Sequence, residues 1–215
     1  MSLKYTAIRA AFEVLWLSGM PHLSRLLSQS RGVIFTLHRV LPEPPAAFSP
    51  NAILQITPDF LDYCIERVRA LGIDIVSLDE AMTRLSATEK GRPFVVLTFD
   101  DAYRDNLTHA LPILQRHEAP FTLYVPTAFV DGVGQIWWQA IEDIIARQQA
   151  VVFTEDGETE YVDTITTRQK ADGFARLYWR MRKLPEPERL KLLEEFTGNY
   201  GYDLDVQCRE LIMDW

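Results

Sequence analysis

Residues 95–106 read VVLTFDDAYRDN. Five apolar or β-prone residues, Val95, Val96, Leu97, Thr98 and Phe99, run straight into Asp100 and Asp101. A buried strand ending in an Asp pair sets two charges at the rim of a core. Carboxylates there are costly to desolvate unless a metal, a proton or a partner compensates. Neighbouring side chains on a strand face opposite sides, but at a strand end the chain can turn and bring both into one pocket. One carboxylate could then hold a metal while the other moves protons.

The flanking sequence sets that strand in a repeating pattern. Residues 32–40 (GVIFTLHRV) read as a strand with His38 near its end. Pro42, Pro44, Pro45 and Pro50 make residues 41–54 a loop. Thr57 before Pro58 is a helix start, an N-cap hydroxyl followed by Pro at the first helical position. Phe60, Leu61, Ile65, Val68 and Leu71 keep the helical period, and Gly72 closes it. A short strand follows at 73–78, then a short helix at 79–85 with Asp79 as its cap. The strand at 94–99 delivers Asp100. The next helix ends near His117, its regular part limited by Pro112, and residues 119–126 (APFTLYVP) form another strand. This alternation predicts an α/β fold of parallel β/α units with right-handed crossovers. Sites in such folds lie at the C-terminal ends of the strands, and Asp100, Asp101 and His38 all fall there.

After Val130 the pattern changes. Residues 137–148 read as a helix carrying Trp137, Trp138, Ile141, Ile144 and Ile145. Segments 151–154 and 159–162 read as a β-hairpin around Glu155-Asp156-Gly157-Glu158, and the acidic run Glu155, Asp156, Glu158 and Glu160 as a solvated tip. Helices follow at 167–183 and 185–196, with a break at 198–202. The expected organisation is an N-terminal helical segment (1–31), a β/α core (32–135), and a helical and hairpin insertion (136–215) within the same domain. Four strands are too few to close a barrel, so the expectation is a partial one. Its unpaired edges would promote self-association or instability.

Hydrophobic residues make up 47% and charged residues 24% of the 215, enough for a sizeable core. The net charge of −8 argues against nucleic acid as a partner, because phosphate binding needs clustered Lys and Arg. Cys64 and Cys208 form no CxxC pair and read as free thiols in a reducing compartment. No segment reaches the roughly 18 apolar residues of a membrane span. Tyr5, Ile8, Phe12, Leu15 and Trp16 fall at helical spacing, so residues 5–17 read as an amphipathic helix. It packs on its own domain or, alternatively, makes a peripheral membrane contact. The expected location is the cytoplasm or the inner face of its membrane.

The segment VVLTFDDAYRDN resembles the first motif of the polysaccharide deacetylase family, the nodulation-type carbohydrate esterases. That motif is a strand ending in Thr-Phe-Asp-Asp-Gly, often with an aromatic residue and an Asn shortly after. Thr98, Phe99, Asp100, Asp101, Tyr103 and Asn106 match it, and Ala102 replaces the usual Gly. The upstream TLHRV (36–40) resembles a Tyr-His-Arg-Val of a bacterial subgroup, with Leu37 for Tyr. PFTLYVPTAFV (120–130) resembles that subgroup's next strand, and the pair Trp137–Trp138 the opening of its insertion.

The resemblance implies a partial (β/α) barrel and hydrolysis of N-acetyl groups on an N-acetylhexosamine-containing polysaccharide. It implies a divalent metal, zinc above all and cobalt as another choice. Asp100 would be the general base and Asp101 the metal ligand, with His38, Tyr103 and Trp138 as substrate-binding candidates. An amide is a poor electrophile, and a metal supplies both a low-pKa water and charge stabilisation at the developing oxyanion.

One departure is plain. The family completes its metal with His-x-x-x-His, and among His22, His38, His109 and His117 no two are four apart. One carboxylate and one His rarely hold a catalytic zinc, which usually takes three protein ligands. The alternative is a non-catalytic, degenerate deacetylase domain that binds glycan or a partner chain. Haloacid-dehalogenase-type phosphatases also end a strand in two Asp residues, but with one residue between them, which disfavours that reading here. His109 and His117, eight apart on one helix, read as surface or core residues rather than ligands.

Overall fold

The computed structural model describes residues 3–18, 30–89, 91–155 and 158–215. His22 and the hairpin tip at Asp156 and Gly157 lie outside them. The strands are β1 (Gly32–Leu37), β2 (Arg39–Val40), β3 (Gln55–Ile56), β4 (Asp74–Ile75), β5 (Phe94–Phe99), β6 (Phe121–Leu123), β7 (Ala150–Glu155) and β8 (Glu158–Asp163). The helices are α1 (Leu3–Leu17), α2 (Pro58–Ala70), α3 (Leu78–Ser86), α4 (Leu111–Arg116), α5 (Thr127–Val130), α6 (Trp137–Arg147), α7 (Thr167–Lys183), α8 (Glu186–Asn199) and α9 (Leu204–Leu211).

β5 is the hub of an open, parallel, four-stranded sheet. Its Phe94 and Asp100 N–H groups donate to Arg31 O and Leu37 O. On the other edge, Pro93 O just before the strand and its own Val95 O and Phe99 O accept from Asp74, Val76 and Tyr124 N–H. Successive residues of a strand offer their backbone groups to opposite edges. So β1 takes one edge of β5, while β4 and β6 share the other, one after the next. The side chains divide the same way. Val95, Leu97 and Phe99 pack with Leu61 and Ile65 of α2 and with Ile113 and Leu114 of α4. Phe94 and Val96 pack on the opposite face with Val76 and Ala81. Burial on both faces is why this strand shows no apolar–polar alternation.

β1 is the outer strand, and Val33, Ile34 and Phe35 remain exposed on it. The strand expected over 32–40 is broken at His38: β2 leaves the main sheet and pairs with β3. The expected loop at 41–54 ends in a 3₁₀ turn, Pro50–Leu54.

The helix ends follow local chemistry. Thr57 caps α2, its hydroxyl accepting from Phe60 N–H at 3.2 Å. The cap of α3 is Ser77 rather than Asp79, because the Ser77 hydroxyl reaches Glu80 N–H. Asp79 lies in the first turn instead, where its charge suits the helix N-terminus. A single π-turn (Asn106–Ala110) precedes α4, and Pro112 sits in the first turn, where its missing N–H costs nothing. Thr166 and Gln169 close a capping box on α7.

α6 to α8 and the antiparallel β7–β8 hairpin share one apolar cluster, centred on Ile141, Ile145, Phe153, Leu177, Leu193 and Phe196. Glu160 is not part of a solvated tip: it pairs with Arg176 and is mostly buried. A smaller cluster of Ala102, Tyr103, Ile136, Cys208 and Ile212 joins the helical region to the loop after β5. Cys64 and Cys208 are both free thiols. Ile8, Phe12, Val14 and Leu15 of α1 are exposed, so the described chain does not cover that face as packing on its own domain would. Among the described residues, no helix is long and apolar enough to cross a membrane.

Candidate active site

Strand period places Asp100 on the same face as Val96 and Thr98. Asp100 N–H still donates to Leu37 O at 2.8 Å, so the ladder holds the residue to its first atom. The next residue would point to the other face if the strand continued. It does not: Asp101 and Ala102 take left-handed conformations, with φ of 70° and 54°. The turn brings the Asp101 side chain to the face of Asp100. Asp tolerates this conformation, whereas for Ala it costs about 1–2 kcal/mol. The Gly of the resembling motif is therefore what the backbone at 102 calls for.

The two carboxylates line an open cleft of about 430 Å³ together with Ile34, Thr36, Thr98, Tyr124 and Pro126. Register sets His38 beside Asp100, since Leu37 pairs with Phe99, and His38 Nε2 lies 3.9 Å from Asp100 Oδ2. Burial raises the Asp101 carboxyl above its usual value; His38 opposes that shift and Asp100 adds to it.

The turn is braced from behind. Arg39 Nε donates to Asp105 Oδ2 at 2.9 Å, and Val40 N–H donates to Asp105 Oδ1 at 2.7 Å. The Arg39 guanidinium sits 4.6 Å from the centre of the Tyr103 ring. Met213 N–H donates to Ala102 O, and Tyr103 bridges to Ile212. Neither Arg39 nor Asp105 stood out as a site residue in the sequence. The signal was there in HRV and RDN, two short polar segments that each follow a strand.

Tyr103 and Trp138 stand away from the Asp cleft. Tyr103 is fully buried, and its hydroxyl accepts from Trp138 Nε1 at 3.2 Å. Burial pushes its phenol well above the ordinary range. Tyr103 instead lines a second, polar pocket of about 200 Å³ with Arg39, Asn51, Gln139 and Glu142. Burial raises the Glu142 carboxyl, while Asn51 N–H, donating at 2.9 Å, lowers it in part. Trp137 and Trp138 are half-buried and meet edge to face at 5.6 Å.

Among the described residues, three metal-capable side chains come close together at one place, Asp62, Glu66 and His117, on the outer helices. The rim of β5 offers Asp100, Asp101 and His38 without gathering their donor atoms in that way.

Residues 87–152 match the family model described as polysaccharide deacetylase. The matched segment is similar to that family over 66 of the 215 residues. It runs from just before β5, through the Asp pair and α6, into the hairpin. Comparison with curated proteins returns no match. Among solved structures, the chain is similar to the Streptococcus pyogenes deacetylase PplD in complex with acetate. The identity is 28% over 46% of this chain and 43% of that one, with a TM-score of 0.39. It is also similar to IcaB from Ammonifex degensii, at 24% identity over 55% and 50% of the two chains and a TM-score of 0.41. A de-N-acetylase from Aggregatibacter actinomycetemcomitans aligns over 82% and 83% at 16% identity and a TM-score of 0.42. The chain thus spans half or less of the length of the first two.

Proposed function

We propose that this chain supplies the Asp-bearing part of a metal-dependent hydrolase that removes N-acetyl groups from an N-acetylhexosamine polysaccharide or oligosaccharide. The observation that carries it is the left-handed turn at Asp101 and Ala102, which puts two carboxylates side by side in an open cleft at the C-terminal end of a parallel strand. Asp100, held by the ladder and half open to solvent, accepts the proton of the attacking water. Asp101 is the metal ligand, and the charge it would carry in a partly desolvated place is what a cation offsets. His38 lines the substrate side, and Tyr103 and Trp138 support the turn from behind. The metal, zinc or an ion such as cobalt, would polarise the amide carbonyl when bound.

The described residues do not complete a three-ligand zinc site at Asp101, so the remaining ligands come from beyond the described residues or are replaced by water. The missing His pair also favours a second reading, a glycan-binding domain without catalysis. Acetate release from N-acetylglucosamine oligomers, with and without added zinc or cobalt, separates the two. Release that needs metal and disappears in Asp101→Ala supports the hydrolase. Oligomer binding without release at any metal level supports the second reading.

Three expectations from the sequence remain part of this proposal. The region 136–215 belongs to one domain with the sheet. The exposed face of α1 makes a peripheral contact with the inner face of the membrane, which liposome sedimentation of a chain lacking residues 1–18 tests. The open edge of β1, with Val33, Ile34 and Phe35 beside it, drives self-association, which light scattering tests.

A further inference from the structure

We infer that Asp62, Glu66 and His117 form a divalent-metal site on the outer helical layer, separate from the Asp100–Asp101 cleft. Asp62 and Glu66 are four apart on α2, so they share one face one turn apart. His117 is the C-cap residue of α4, which packs against α2 in the sheet core. One ligand atom from each of the three lies within 4.8 Å of the other two.

The residues are not equally available, and the difference matters. His117 Nε2 is in hydrogen-bond contact with Asp62 Oδ1, and Arg116 Nη2 lies 2.7 Å from Asp62 Oδ2. Arg69 Nη2 donates to His117 O, which fixes the backbone from which the ring projects. The ring is largely buried, at 14% exposure, so its Nε2 is held toward α2. Glu66 is exposed and makes no ion pair among the described residues. Arg116 thus pairs with one Asp62 oxygen only, which leaves Asp62 Oδ1, the ring nitrogen and Glu66 as donors. A divalent cation can take Asp62 Oδ1, the His117 ring nitrogen and Glu66, while Arg116 keeps Asp62 Oδ2. For a neutral ring carrying its proton on Nε2, binding moves that proton to Nδ1; a protonated ring releases one proton to solvent. One nitrogen and two carboxylate oxygens suit zinc, cobalt or manganese rather than a thiolate-seeking ion. Three protein ligands leave coordination positions for water.

The test is Co²⁺ titration of the 215-residue chain, followed by its visible absorption, with Asp101→Ala as the background to silence the other cleft. The expected result is one bound equivalent in Asp101→Ala that His117→Gln abolishes. Glu66→Gln, which breaks no hydrogen bond or ion pair among the described residues, should weaken it by roughly tenfold or more, since even outer-shell changes cost that much at metal sites. No bound cobalt in the Asp101→Ala chain overturns the inference. So does binding that survives both His117→Gln and Glu66→Gln unchanged. Failure of the deacetylase proposal leaves this result untouched, because the readout is metal binding away from the Asp pair.

Discussion

Arg39 and Asp105 are joined across the site by a 2.9 Å hydrogen-bonded ion pair, and the second Asp105 oxygen takes the N–H of Val40. The pair fastens β2, which follows His38, to the turn carrying Asp100 and Asp101. Both side chains are largely buried. Asp105→Ala would strand a guanidinium and a backbone N–H in a low-dielectric place, at a cost of about 3 kcal/mol or more. Urea unfolding should show a lower midpoint with an unchanged slope.

Asp101 should be a site of conflict between stability and function. Burial raises its carboxyl from the ordinary 3.8, with a smaller contribution from Asp100 and an opposing one from His38. A raised carboxyl favours the protonated form in the fold. That contribution is therefore fully present below 3.8 and is lost as pH rises through the raised value. Asp101→Asn removes the titration. The variant should melt above the parent at neutral pH, and the gap should close as pH falls toward 3.8. In a His117→Gln background, which removes the second proposed site, added zinc should raise the melting temperature of the chain with Asp101 and leave that of Asp101→Asn alone.

The helical region has a core of its own to lose. Phe196 is fully buried in the cluster built by α6, α7, α8 and the hairpin, with its ring 5.4 Å from that of Tyr200. Phe196→Ala should cost about 3–5 kcal/mol, read by chemical denaturation.

Gly134 lies where chain and ring come together. A Cβ there would stand 2.8 Å from Phe129 N and 2.0 Å from Phe129 Cδ1. Gly134→Ala should destabilise by about 1–3 kcal/mol and shift the segment after α5, which begins next to Pro126 at the cleft. Thermal unfolding of the variant checks it.

What the sequence showed and what it hid divide along physical lines. β5 was legible to the residue because burial on both faces demands an unbroken apolar run, and α7 because its cap and helical period agree. The Asp pair was legible because two charges after such a run need an explanation. The break at His38 was not, since β2 pairs with β3, and pairing between distant residues leaves no local mark. The Ser77 cap was missed because Ser77 and Asp79 both suit a helix start, and only the hydroxyl's reach to Glu80 N–H separates them. The meeting of His117 with Asp62 and Glu66 depends on how α4 packs on α2. No spacing within one helix could show it.

Acetate release from N-acetylglucosamine oligomers, measured against zinc or cobalt concentration for the parent chain and Asp101→Ala, tests the central claim most directly. On the proposed reading the metal is held without the family's His pair, and therefore weakly, so release should climb with excess metal rather than level off at one equivalent. It should vanish in Asp101→Ala. Absence of release at every metal concentration, or release equal in parent and variant, would contradict the assignment of the Asp100–Asp101 cleft as a deacetylase site.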